Sequence, residues 1–152
     1  MRSLIAVSLS LIVLSACAPA PEPPDWEPQI RAANETLLNQ GNLDRIPEFF
    51  LPTYLSHGVE RDTTGSDIIA GFVGGLREAF PDLHVEIEVL VTEGNMVTWV
   101  RTHRGTHEGD FMGVPASGRE IMWRTIVVTR YEDGMIAEEW GVSDIGAQLL
   151  AQ

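Results

Sequence analysis

The chain has 152 residues and a formal net charge of −12. This length suits one domain with one hydrophobic core, and the acidic charge makes nucleic acid and anionic lipid surfaces unfavourable partners. All ten basic residues are arginine, and without lysine the chain cannot be a Schiff-base aldolase, a pyridoxal phosphate enzyme or a P-loop nucleotide-binding protein.

The N-terminal segment has the pattern of a bacterial lipoprotein signal. Arg2 precedes an apolar run over residues 4–16, and the run ends in the lipobox-like sequence Leu-Ser-Ala-Cys. We predict that residues 1–16 are a signal peptide and that Cys17 carries the lipid. Residues 17–27, rich in proline, are then a semi-rigid tether. The protein is expected in the bacterial cell envelope, lipid-anchored on the outer membrane and facing the periplasm, with no other membrane contact.

Three helices are predicted at the start of the domain, which spans residues 28–152. Apolar residues at helical spacing predict a first helix over 28–40 and a short second helix over 43–50. A short extended piece over 54–59 follows. Ser66 is expected to cap a third helix that stops before Pro81.

Four strands are predicted in the second half of the chain. Apolar residues alternate from Leu83 to Val91, which indicates a strand buried on one side. Return strands follow over 96–103, 119–131 and 135–142, and residues 145–152 close as a helical tail. Helices followed by antiparallel strands predict an α+β domain, in which a curled sheet wraps a long helix and encloses one apolar pocket.

Trp99, Arg101 and His103 share one face of a strand. A row of one aromatic ring, one cation and one imidazole is typical of a pocket wall, although a solvated outer face is the alternative for the two polar residues. In a pocket, Arg101 could hold a carbonyl or enolate oxygen, and His103 could move a proton.

Asp144 is the candidate catalytic carboxylate. It ends a strand that carries Trp140 and Val142 on the same face, so an inward side chain would be desolvated. Desolvation raises the pKa of a carboxylic acid and would let it transfer protons next to a carbonyl near neutral pH. The alternative is a helix-capping role for Asp144 in the C-terminal tail.

A set of aromatic and other side chains is predicted to contact the substrate. The glycine-spaced loop over residues 109–118 either folds over the cavity or is an ordinary hairpin connection. His57 is either at the pocket mouth or on a loop. The predicted contacts are Tyr54, His57, Trp99, Phe111, Met112 and Trp140.

No metal or other cofactor is predicted. His103 and His107 lie four residues apart, and that spacing separates them by roughly 13 Å on a strand, too far to share one ion.

Two segments between Gly105 and Asp144 resemble the SnoaL-like polyketide (ester) cyclase family of the NTF2-like superfamily. They are G-T-H-E-G-D-F-M-G-V-P-A-S-G-R and R-Y-E-D-G-M-I-A-E-E-W-G-V-S-D. The resemblance implies a cone-shaped barrel and a carboxylate acid/base, with Asp144 at the expected position.

It also implies a cofactor-free ester cyclase or isomerase that acts on a small apolar carbonyl compound. The rival hypothesis is a periplasmic ligand-binding lipoprotein that uses the same pocket without catalysis. A third hypothesis is an interaction module that forms a homodimer, since related barrels often dimerise through the exposed sheet.

Overall fold

The computed structural model describes residues 24–58 and 61–151. The predicted signal peptide and Cys17, the predicted lipidation site, lie outside the described residues. Within the described ranges, no helix has both the length and the apolar character needed to cross a membrane.

The predicted first helix forms but is not uniform. Helix α1 (Glu27–Ala33) continues directly into a π-helical segment, Asn34–Asn39. Gly41 follows with a φ of +71°, a left-handed conformation that glycine adopts without steric cost. The second predicted helix is a 3₁₀ segment, Leu43–Glu48, in which Pro47 cannot donate a backbone hydrogen bond.

Helix α2 (Asp67–Ala79) is the third predicted helix, but the expected cap is wrong. Ser66 makes no side-chain capping hydrogen bond. Its backbone is itself helical, with φ −72° and ψ −15°, whereas a capping side chain requires an extended residue before the first turn.

A single six-stranded sheet forms the rest of the domain. The strands are β1 (Phe50–His57), β2 (Asp62–Thr64), β3 (His84–Glu93), β4 (Met96–Thr106), β5 (Glu120–Glu132) and β6 (Met135–Ser143). Their order is β2-β1-β6-β5-β4-β3, so the curled sheet stays open between β2 and β3. Helix α3 (Ile145–Leu150) follows the last strand. The α+β fold predicted from the sequence is confirmed.

The sequence predicts a wholly antiparallel sheet, but one pair of strands is parallel. β1 runs parallel to β6, with Ser56 opposite Glu139. These strands are more than 70 residues apart in the chain, so local patterning carried no signal for their pairing. The consequence is that β1 contributes side chains to the same inner face as β6.

The core lies between the inner face of the sheet and the helices. Leu37 of the π-helical segment and Val73 and Leu76 of α2 are buried there, together with Val127 of β5. A cavity of about 610 Å³ remains between the two layers.

The alternation predicted for β3 breaks near its end. The register with β4 shifts between Val89 and Val91, and Val91 is 56% exposed instead of buried. A β-bulge adds one residue to one strand and turns the following side chains to the opposite face, which explains the error.

Candidate functional site

The cavity has the size and composition of a small-molecule site. Its walls are mainly aliphatic and aromatic side chains from α1, α2 and the inner face of the sheet. Pockets of roughly 300–1,000 Å³ with a few placed polar groups are typical of ligand sites. Here the charged groups are Glu139 and Arg101, and they lie near His103 and Tyr54.

Glu139 is held by a chain of hydrogen bonds. The Tyr54 hydroxyl donates to Glu139 Oε2 at 3.0 Å, and the Thr129 hydroxyl donates to Glu139 Oε1 at 2.9 Å. The indole N–H of Trp99 donates in turn to the Thr129 hydroxyl at 2.9 Å. Each carboxylate oxygen therefore accepts one bond from a buried residue, which fixes the orientation of the acid.

The pKa of Glu139 is raised above its ordinary value. Burial is the largest cause, because removal from water disfavours the charged form. The nearby positive charge of Arg101 and the hydrogen bonds from Thr129 and Tyr54 act in the opposite direction without cancelling the effect of burial. A carboxylic acid with a raised pKa is suited to taking and returning a proton near neutral pH.

Arg101 is the cation of the cavity. Its guanidinium lies over the Trp99 ring, with the central carbon 4.8 Å from the ring centroid. Burial lowers the pKa of Arg101, while the charge of Glu139 opposes that change. Arginine stays protonated under these conditions. Its Nε atom is buried and makes no hydrogen bond within the described residues.

His103 is a neutral imidazole. Burial is the main cause that lowers the pKa of His103 to about 3, and the positive charge of Arg101 adds to it. The ring stacks on Trp123 with centroids 4.6 Å apart. Its Nδ1 atom has no hydrogen-bond partner among the described residues. A neutral imidazole can donate or accept at this atom, depending on its tautomer.

Asp144 does not lie in the cavity, and the sequence prediction of its position is wrong. Its side chain is exposed. Oδ1 accepts the backbone N–H of Arg124 at 2.7 Å, and Oδ2 accepts the side-chain N–H of Gln148 at 3.2 Å. The residue precedes α3 and ties the C-terminal helix to β5. Trp140 and Val142, which share the strand face predicted for Asp144, are exposed on the outer face of the sheet and form no pocket wall.

His57 and Trp140 also lie on the outer face and do not line the cavity. Their rings stack with centroids 4.3 Å apart. His57 Nδ1 is 3.2 Å from Asp62, and its Nε2 is 3.5 Å from Glu138. The sequence does not indicate which face of each strand lies inside, so it cannot exclude these two residues from the predicted substrate contacts.

The loop between β4 and β5 contributes one of its two predicted contacts. Met112 lines the cavity, whereas Phe111 does not line it and packs on Phe80, with ring centroids 6.0 Å apart. Tyr54 and Trp99 both lie on the cavity wall, as do Arg101 and His103. Their roles toward a substrate remain predictions.

The histidine pair considered for a metal is divided between two environments. His103 stacks on Trp123 in the cavity wall. His107 packs on Phe80, with Nδ1 3.3 Å from the Ser117 hydroxyl. Among the described residues, no group of three histidine, cysteine or acidic side chains is arranged to hold a metal ion. The absence of a metal stays a prediction.

Glu139 is the residue that sequence reasoning missed. It sits in the run Glu138-Glu139-Trp140, which reads as a solvated strand end. One signal was available: Glu139 alternates with Gly141 and Ser143, the small residues of the face opposite Trp140. Small residues leave space, and space on an inner face makes a cavity.

The model of the SnoaL-like polyketide cyclase family matches residues 29–152. The chain therefore belongs to this family. It is 32% identical over 106 residues to the aklanonic acid methyl ester cyclase DauD of Streptomyces sp. strain C5. That alignment covers 66% of this chain and 65% of the relative, so the chain spans slightly less than two thirds of the relative's length. The cyclase DnrD of Streptomyces peucetius is 31% identical, with 66% of this chain and 72% of the relative covered.

Solved structures have the same fold. IdmH from Streptomyces antibioticus is 28% identical with a TM-score of 0.70, and the match covers 82% of this chain and 95% of IdmH. TsrD from Streptomyces laurentii is 24% identical with a TM-score of 0.72, and the match covers 82% of this chain and 97% of TsrD. At 24% identity, the likeness to TsrD is evidence for the fold alone.

Proposed function

We propose that the protein is an acid/base enzyme of the cyclase or isomerase type that acts on a small apolar carbonyl compound and uses Glu139 as its base. The observation that carries the proposal is the partly buried Glu139 carboxyl, with its raised pKa and its hydrogen bonds to Tyr54 and Thr129, in an apolar cavity that also contains an arginine. The likeness to two ester cyclases supports the reaction class.

The proposed reaction begins with a C–H bond next to the substrate carbonyl. Glu139 takes this proton, and the electron pair of the broken bond moves onto the carbonyl oxygen to give an enolate. Arg101 and His103 stabilise the oxygen by donating hydrogen bonds in surroundings of low dielectric constant, where such donors act strongly. The cavity walls exclude water from the intermediate.

Two outcomes complete the reaction without any further reactant. In ring closure, the enolate carbon attacks a second carbonyl of the same molecule, a C–C bond forms, and protonated Glu139 returns its proton to the new alkoxide. In isomerisation, Glu139 returns the proton to a different carbon. In both cases the proton that Glu139 takes is returned to the product, and no oxidant or reductant is consumed.

Deuterium exchange tests the proposal without knowledge of the natural substrate. The protein is mixed with methyl ketones and β-keto esters in D₂O, and NMR follows deuterium uptake next to the carbonyl. We expect Glu139→Gln to reduce the rate by about 10²–10⁴-fold, the usual contribution of a positioned base. Glu138→Gln is the matched control, because Glu138 is adjacent in the chain but binds Arg130 on the outer face.

The outcomes separate three hypotheses. Loss of exchange in Glu139→Gln alone supports the proposal. Loss of exchange in Asp144→Asn, with normal exchange in Glu139→Gln, would instead support Asp144 as the base, as the sequence predicts. Binding of the ketones without enzyme-dependent exchange by the unmodified protein would favour a ligand-binding lipoprotein that uses the cavity without catalysis.

We also propose that the domain works at the bacterial cell envelope, tethered through Cys17 on the periplasmic side of the outer membrane. The lipobox-like sequence and the proline-rich residues that follow support this location. A periplasmic substrate would differ from a nascent polyketide, whose ring closure takes place in the cytoplasm.

A further inference from the structure

The residues that line the cavity differ widely in exposure. Trp99 and Tyr54, which contact Arg101 and Glu139, are 1% and 4% exposed. Phe72 and Met112 line the same cavity but are 58% and 67% exposed. Arg101 and Glu139 therefore lie against the buried part of the lining, and these two large apolar side chains lie where the lining meets water.

The rim formed by Phe72 and Met112 differs from the other exposed apolar surface. Val142 and Ile126 are also exposed, but they lie on the outer face of the sheet and do not line the cavity. Only side chains that line the cavity can contact a ligand that extends from inside it. An aromatic ring and a thioether provide apolar contact at the point where a ligand meets water.

Local structure holds Met112 at the rim. Phe111 and Val114 exchange two backbone hydrogen bonds, of 3.0 and 2.9 Å, across a tight turn whose tip is Met112-Gly113. Phe111 packs against Phe80 and anchors this turn to the core. Met112 has a φ of +51°, a left-handed conformation that glycine adopts far more easily than methionine. The chain thus keeps a large apolar side chain where the backbone favours glycine.

We propose that the substrate is an elongated amphiphilic carbonyl compound, whose polar end reaches Glu139 and Arg101 and whose apolar tail lies between Phe72 and Met112. Ile68 and Ile69 add apolar wall to the same cavity. This inference rests on the proposed function, since it assigns the substrate class of the same site. Compact ketones bind weakly, because they leave the rim in contact with water.

A series of linear methyl ketones from 2-pentanone to 2-undecanone tests the inference by titration calorimetry on the full chain. Each methylene removed from water contributes about 0.8 kcal/mol, so affinity should rise about fourfold per added methylene until the tail passes the rim. In the Phe72→Gln/Met112→Gln double variant, the longest ketones should bind more weakly by a factor on the order of tenfold. This loss corresponds to the burial of about two methylenes that the apolar rim no longer provides.

Met122→Gln is the matched control, because Met122 is exposed on the outer face and does not line the cavity. This control should bind every ketone as the unmodified protein does, and Met112→Leu, which keeps an apolar side chain at the rim, should retain the rise of affinity with chain length. Circular dichroism checks that each variant is folded. If the double variant is unfolded, the single variant Met112→Gln takes its place, because it changes only an exposed side chain in a turn. Its affinity for long ketones should fall several-fold.

Two results would overturn the inference: affinity independent of chain length, or equal weakening of short and long ketones in the rim variants. Both are measured as binding, so they are distinguishable from a failure of the proposed function, which is measured as Glu139-dependent exchange. Long ketones that bind through the rim but show no exchange would leave the tail site standing and refute the acid/base proposal.

Discussion

Replacement of Tyr54 by phenylalanine tests the hydrogen-bonded carboxyl most directly. The Tyr54 hydroxyl donates to Glu139 Oε2 at 3.0 Å, and this bond favours the ionised acid. A hydrogen bond to a charged group contributes about 1.5–3 kcal/mol, and one pKa unit corresponds to about 1.4 kcal/mol. Loss of the bond should therefore raise the pKa of Glu139 by about one to two units above its value in the unmodified protein.

The assay is a pH titration followed by the ¹³C shift of the glutamate side-chain carboxyl. Glu139→Gln identifies the signal, because that variant lacks it. The base requires the ionised form, so the acidic limb of the exchange rate should move to higher pH by the same amount in Tyr54→Phe. The rate above both pKa values should change much less.

Tyr131→Phe is the matched control for this experiment. Tyr131 is also buried, and burial raises its pKa, but its hydroxyl has no hydrogen-bond partner among the described residues. Its removal should leave the titration of Glu139 nearly unchanged. An equal upward shift in both variants, or a downward shift in Tyr54→Phe, would refute the argument that the Tyr54 bond holds the pKa down.

The raised pKa of Glu139 means that the folded state binds this proton more tightly than the unfolded state, so the wild type loses stability as pH rises from about the ordinary value of 4.5 through the folded pKa. The stability of Glu139→Gln relative to wild type, measured by urea unfolding, should therefore be higher at pH 8 than at pH 4; a constant difference would contradict this. Labelling with a palmitate analogue should mark the wild type and not Cys17→Ser, and equal labelling would disprove lipidation at that residue. Thermal unfolding should be the same with and without EDTA, whereas a drop of many degrees would reveal a bound metal. Because Val142 is 74% exposed on the outer sheet face, Val142→Glu should shift the expected homodimer toward monomer in light scattering, and a monomeric wild type would rule the dimer out.

Most of the secondary structure was predictable because it follows local periodicity. Alternating apolar residues predicted β3 and β4, and helical spacing predicted α2. The errors occur where a local pattern is interrupted or a geometry is special. Val91 is exposed because a bulge changes the strand's parity, and Ser66 does not cap because its own backbone is helical.

The candidate site was predictable only in part, for a different physical reason. The sequence placed Trp99, Arg101 and His103 together on one face, and that face lines the cavity. For β6 the alternation was equally regular, but the inner face carries Glu139 and the outer face carries Trp140. An acidic residue beside an aromatic one suggests the opposite arrangement, because isolated charge is expensive to bury.

The sequence by itself determined the α+β class and the number of long strands, because hydrophobic periodicity acts over neighbouring residues. It also determined the family, through the motifs between Gly105 and Asp144. Only the tertiary structure decided which carboxyl enters the cavity. The parallel pairing of β1 with β6 brings Tyr54 to Glu139 across 85 positions of sequence, and that contact offsets part of the cost of burying a charge. Asp144, five residues further on, stays in water, where the backbone N–H of Arg124 binds it.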